Sequence, residues 1–148
     1  MIKNLAVNSV KSLKIDKKKI HFLIGELKSI LKFKIKSFGI NFVTSEEIVK
    51  INVRYLNHNY TTDIITFNYS GENFNFDGEI FISFEDAKEN AKKFGVSFDN
   101  EILRLVIHGV LHMVGLNDES QKEKKEMKKA ENELVAKFEK KIGKIAVK

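Results

Sequence analysis

The chain contains no cysteine, which excludes disulfides and any thiolate metal site. It contains no proline, no internal repeat and no low-complexity stretch, so nothing in it reads as a linker. Every apolar run falls far short of the ~20 residues that a helical membrane span needs. The opening Met1-Ile2-Lys3-Asn4 lacks the charged-then-apolar layout of a secretory leader, and a cytoplasmic location is expected. Arginine is scarce: Arg54 and Arg104 are its two copies, and the net charge of +6 rests on lysine. Those lysines are spread along helix faces and chain ends. They are compatible with a polyanionic partner such as nucleic acid but do not specify one.

What is present suits one compact domain over residues 1–148. Hydrophobic residues make up 43% and charged residues 31%, an ordinary globular balance. A short strand is expected over about Leu5 to Val10. Asp16 then caps a helix with Ile20, Leu23, Leu27, Ile30 and Leu31 at helical spacing. Phe38, Ile40 and Phe42 alternate along a strand. Thr44 and Glu47 have the form of a capping box, opening a helix that buries Ile48, Ile51, Tyr55 and Leu56. Asp63–Phe67 and Gly78–Ser83 read as two strands of an antiparallel pair. Helices follow from about Glu85 to Phe94, broken at Gly95, and from near Asp99 toward Val114. A last helix carries Met127, Ala130, Leu134 and Phe138 on one face, and from about Lys140 the basic tail is expected to fray. This order of elements indicates an α/β (α+β) domain, a small mixed sheet flanked by helices.

The segment with the most chemical content is His108-Gly-Val-Leu-His112-Met-Val-Gly115-Leu-Asn-Asp118. Side chains at i and i+4 lie one turn apart on one helix face, so both imidazoles can reach one zinc ion. Gly115 lets the helix stop and the chain turn back. Asp118 then arrives as a third ligand, with Glu119 its adjacent rival. Three protein ligands leave a position open for water, the pattern of a catalytic zinc site. Zincin proteases place a general-base Glu directly after the first His. Here that position is Gly109, which cannot move a proton, so the ligand spacing is zincin-like but the usual peptide-hydrolysis route is disfavoured. His21 and His58 read first as ordinary packing residues.

These residues resemble the YbeY family of bacterial rRNA-maturation endoribonucleases. The family's His-Gly-x-Leu-His-x-x-Gly run appears as His108 to Gly115. Its Thr-Asp-Val-Leu-Ser-Phe strand appears as Thr62-Asp-Ile-Ile-Thr-Phe67, and its Gly-Asp-Ile-x-Ile-Ser strand as Gly78-Glu-Ile-Phe-Ile-Ser83. The resemblance spans about Phe38 to Phe138. It implies a small, four-stranded mixed sheet with Zn2+ at the mouth of a basic cleft. It also implies cleavage of single-stranded RNA, in 3′ maturation of small-subunit rRNA and in ribosome quality control, with the ribosome or its proteins as partners. Two positions depart from the pattern. The family's third histidine is Asp118 here, whose charge makes a bound water less acidic. The family's cleft arginine falls at Leu56, and Arg54 is the nearest replacement, although two residues turn an α-helix by about 200°. Arg54 is thus the candidate catalytic cation, and Thr62, Asp63 and His58 are candidates for RNA contact or support of a ligand. Glu101 and Arg104 either orient a ligand or form a surface ion pair. Two other readings stay open: a non-cleaving RNA-binding or ribosome-assembly factor with a structural metal, and a zinc hydrolase of another substrate.

Overall fold

The computed structural model describes residues 1–56 and 62–147. Four strands form one mixed sheet in the order β1-β3-β5-β4. Strand β1 (Leu5–Ser9) runs parallel to β3 (Lys34–Val43), and β3 runs parallel to β5 (Asn75–Ser83). Strand β4 (Ile64–Asn68) closes one edge antiparallel to β5, with Thr66 opposite Ile80. Strand alternation divides the sheet into two unlike faces. Leu5, Val7, Phe38, Ile40, Phe42, Phe76, Ile80 and Ile82 point to the main core. There they meet helices α1 (Lys17–Leu31), α4 (Phe98–Met113) and α5 (Gln121–Ile142). The opposite face holds a small apolar group in which Ile48, Ile51 and Ile65 pack with Val43, Phe67 and Phe81. Beside it runs a polar row: Asn8 donates to Asn41, and Asn41 and Tyr69 both donate to Glu79.

Local chemistry sets the ends of the elements. The Asp16 carboxylate accepts from Lys19 N at the start of α1, and Ser83 and Ser97 cap α3 (Phe84–Phe94) and α4 in the same way. Thr44 accepts from Glu47 N at the start of α2 (Ser45–Ile51). The complete reciprocal box lies elsewhere, between Ser120 and Glu123 at the head of α5.

Two expectations are corrected. Tyr55 and Leu56 are not buried but 61% and 41% exposed. The helix widens into a π turn over Asn52–Leu56, and this change of pitch rotates both side chains outward while Asn52 turns in. The tail does not fray at Lys140. Helix α5 continues to Ile142, and Ile142 and Ile145 are buried. Asp99 Oδ1 accepts from the backbone N of Ile145 and Ala146, leading the chain into β6 (Ala146–Val147) beside β2 (Lys14–Ile15). No helix among the described residues is long and apolar enough to cross a membrane.

Candidate metal centre

Helix α4 crosses the sheet with almost every residue from Ile102 to Met113 buried, yet it presents His108 and His112 half-buried on one stripe. Its approach to β5 is unusually close. A Cβ at Gly109 would overlap the Ile80 side chain, so any larger residue there must displace Ile80. The position where zincins keep a general base is thus pressed into the core and cannot face a substrate. At the end of α4 the backbone N of Gly115 donates to His112 O and that of Leu116 to Leu111 O. Gly115 takes φ 107°, a conformation that side chains oppose, and the chain reverses. Three residues later it delivers Asp118, just before the Ser120 cap fixes the next helix.

The result is a convergent cluster. The two imidazole rings are 4.6 Å apart between centroids. Asp118 Oδ2 lies 3.6 Å from Nε2 of His108 and 3.6 Å from Nε2 of His112. Ligand atoms about 2.0–2.1 Å from a tetrahedral zinc stand roughly 3.3 Å from one another, so Asp118 already sits near shared-ion spacing from each histidine. Their ligand atoms all lie within 4.8 Å of one another, and His108, His112 and Asp118 could hold a metal ion. They open onto a cleft of about 450 Å³ whose other wall is β4 and the residues leading into it, Thr62 and Asp63 among them.

Behind the cluster lies a layer of buried charge that the sequence did not announce. Glu131 of α5 is 6% exposed; its Oε2 is 2.8 Å from His108 Nδ1 and its Oε1 is 3.4 Å from Arg104 Nη1. Arg104 also donates to Asn132. Glu101 is 3% exposed, so the surface-pair reading of Glu101 and Arg104 gives way to an interior network. Asn90 of α3 bridges it to the cleft, with Nδ2 3.0 Å from Asp63 Oδ2 and 3.5 Å from Glu101 Oε2. Burial pushes the carboxyls of Asp63 and Glu101 upward, and in Glu101 the Asp63 charge adds to the effect. Burial alone would push His108 down. The hydrogen bond and charge of Glu131, with Asp118 and Asp63, outweigh it and hold the imidazole above its usual value. His112 is lowered, by burial and then by the neighbouring His108. Carboxylates therefore outnumber cationic side chains around His108, and a bound divalent cation would offset that excess.

The remaining candidates are placed as follows. Thr62 and Asp63 line the cleft. Glu119 is exposed and outside the cluster. The Arg54 guanidinium lies over the Tyr55 ring, 5.5 Å from its centroid, and Arg54 is absent from the lining of the cleft among the described residues. His58 lies outside the described residues. His21 has the packing role expected: it is 8% exposed and its Nδ1 accepts from Ile2 N. The signal that could have exposed Glu131 is its position. It sits among Met127, Leu134, Val135 and Phe138 on the apolar stripe of α5, where an acidic residue needs a buried partner.

A mixed sheet crossed by a helix that carries an i,i+4 histidine pair, with one acidic residue returning from its C-terminus as the third group, defines a zincin-like candidate metal centre. The match to known proteins narrows that class. The family model described as Endoribonuclease YbeY matches residues 5–139. A protein of Phocaeicola vulgatus named Endoribonuclease YbeY is 36% identical over 127 residues, 86% of this chain and 91% of that protein. One of the same name from Flavobacterium johnsoniae is 44% identical over 97 residues, 66% of this chain and 69% of that protein. The solution structure of a Thermotoga maritima protein superposes with a TM-score of 0.66 at 26% identity, covering 93% of this chain and 90% of that one. The chain belongs to the YbeY endoribonuclease family. It is accordingly an enzyme, a hydrolase of the nuclease class.

Proposed function

We propose that the cleft is the active site of a zinc-dependent endoribonuclease that cuts single-stranded RNA in the cytoplasm. Its place is the maturation of ribosomal RNA, at the 3′ end of the small-subunit species, and ribosome quality control, with the ribosome or its proteins as partners. The observation that carries this reading is the convergence of His108, His112 and Asp118 on the floor of an open cleft, in a chain of this family. Two imidazoles and one carboxylate without sulfur, their ligand atoms within 4.8 Å of one another, suit zinc. When bound, zinc supplies a Lewis acid for a phosphoryl oxygen and for the attacking water.

The chain's own groups do the rest. His108, His112 and Asp118 hold the ion. Asp63, with one oxygen fixed by Asn90, and Thr62 offer an acceptor and a hydroxyl along the facing wall for the ribose or the attacking water. Exposed lysines on the first half of α5, the helix that follows Asp118, would supply phosphate contacts that weaken with salt. Gly109 leaves the usual zincin position without a general base, which disfavours peptide hydrolysis by that route.

The test is cleavage of a labelled single-stranded RNA by protein stripped of metal and then reloaded with zinc. Activity should vanish on stripping and return with zinc. A double-stranded RNA of the same sequence should resist. Equal cleavage by the stripped protein, or none by the zinc-loaded protein, would overturn the proposal. RNA binding without cleavage would instead support an assembly factor.

A further inference from the structure

Helix α5 buries an apolar stripe, with Met127 at 2% and Phe138 at 0% exposure, and Glu131 stands in the middle of it. An unpaired carboxylate there would be costly. Its two oxygens are divided between two residues of α4: Oε2 faces His108 Nδ1 at 2.8 Å, and Oε1 faces Arg104 Nη1 at 3.4 Å. Arg104 precedes His108 by one helical turn, so both reach α5 from the same face. Its positive charge stands beside the Glu131 carboxylate. A carboxylate oxygen accepts hydrogen bonds, so a contact of this length selects the His108 tautomer with its proton on Nδ1. The lone pair is then on Nε2, the atom that faces Asp118. His112 is backed differently, by a backbone hydrogen bond at Leu116.

We propose that Glu131, clamped by Arg104, is the positioning residue for the metal centre: it fixes the tautomer and ring orientation of His108 and so ties metal affinity to the docking of α5 on α4. This inference rests on the metal-site reading above but not on RNA as the substrate. Carboxylates behind ligand histidines raise their basicity and hold their rings, and removing one costs about 10–100-fold in metal affinity.

The experiment is a competition titration of the metal-free full-length protein with zinc and a chromophoric chelator, without RNA. Glu131→Gln keeps size and an acceptor but no charge, and should weaken zinc binding by about 10–100-fold. Arg104→Gln should weaken it in the same direction by a smaller factor. Glu133→Gln, on the exposed face of α5, should leave it unchanged. A merely structural Glu131 would lower the melting temperature of the metal-free protein and leave the zinc dissociation constant within about twofold, which would overturn the proposal. Should Glu131→Gln not fold, 15N spectra of the unmodified metal-free protein decide: a His108 ring protonated at Nδ1 supports the proposal, and one protonated at Nε2 overturns it. Zinc binding that weakens in Glu131→Gln, in a protein that cuts no RNA, would uphold the positioning role and reject the endoribonuclease reading. The reverse pattern would reject the positioning role alone.

Discussion

The two walls of the cleft are built on opposite plans. The α4 wall carries its metal candidates on a buried helix backed by a second helix, and the charges behind it are paired across 2.8 and 3.4 Å. The β4 wall is an edge strand whose Ile64, Thr66 and Asn68 side face the cleft. Its other side rests on the small cluster around Ile48, Ile51 and Ile65 and on the row Tyr55, Phe67, Tyr69, in which both tyrosines are about as exposed as surface residues, at 61% and 60%. One wall is preorganised to hold an ion in fixed geometry. The other presents polar groups on a lightly supported edge, which suits a substrate that varies in sequence.

The contrast can be broken first at the metal wall. His112→Ala should reduce both zinc binding and RNA cleavage to background while circular dichroism shows a retained fold. Cleavage surviving in that variant would mean that the wall is structural. Gly109→Ala drives a Cβ into Ile80 and should cost about 1–3 kcal/mol in denaturant unfolding; an unchanged midpoint would show that α4 and β5 are not held so close. At the facing wall, Asp63→Asn should lower cleavage about tenfold, the loss of one charged hydrogen bond, with zinc affinity unaltered. A parallel loss of zinc would move Asp63 from the substrate to the metal. Arg54→Ala should be milder still, since its guanidinium is engaged with Tyr55: about 0.5–1 kcal/mol of stability and little change in cleavage. A large loss of cleavage would restore Arg54 as the cleft cation.

The smallest effect concerns pH. His108 is held above its ordinary 6.5 in the fold, so its contribution to the stability of the metal-free protein is complete below 6.5 and fades as pH rises through the folded value. His112 is held below 6.5, so its contribution is complete above 6.5 and fades as pH falls through its folded value. The two losses fall on opposite sides of 6.5, so together they should make the melting temperature of the metal-free protein peak near the ordinary histidine value and decline on either side of it. In Glu131→Gln the main upward influence on His108 is gone, so the decline on the alkaline side should shrink and the decline on the acid side should steepen. The same peaked profile in both proteins would contradict the assigned contact.

The same division explains what the sequence discloses. His108, His112, Gly115 and Asp118 lie close along the chain, so helical geometry and one glycine turn suffice to bring them together. The strand pair containing Thr66 and Ile80 was likewise legible from alternation over short runs. Glu131 was not, because it meets His108 across 23 residues and through the docking of two helices. Local spacing does not encode that contact. The outward turn of Tyr55 and Leu56 was hidden for another reason. A helical pattern presumes a constant pitch, and the π turn over Asn52–Leu56 changes it. The packed C-terminus escaped because its lysines read as solvated, whereas Ile142 and Ile145 anchor the segment and Asp99 satisfies its backbone.

The most direct test is elemental analysis of the purified protein beside Asp118→Ala, with RNA cleavage measured on the same samples. One zinc per chain in the unmodified protein, lost in the variant together with cleavage, is the expected result. Zinc retained by Asp118→Ala, or no zinc bound by the unmodified protein, would contradict the three-ligand catalytic site.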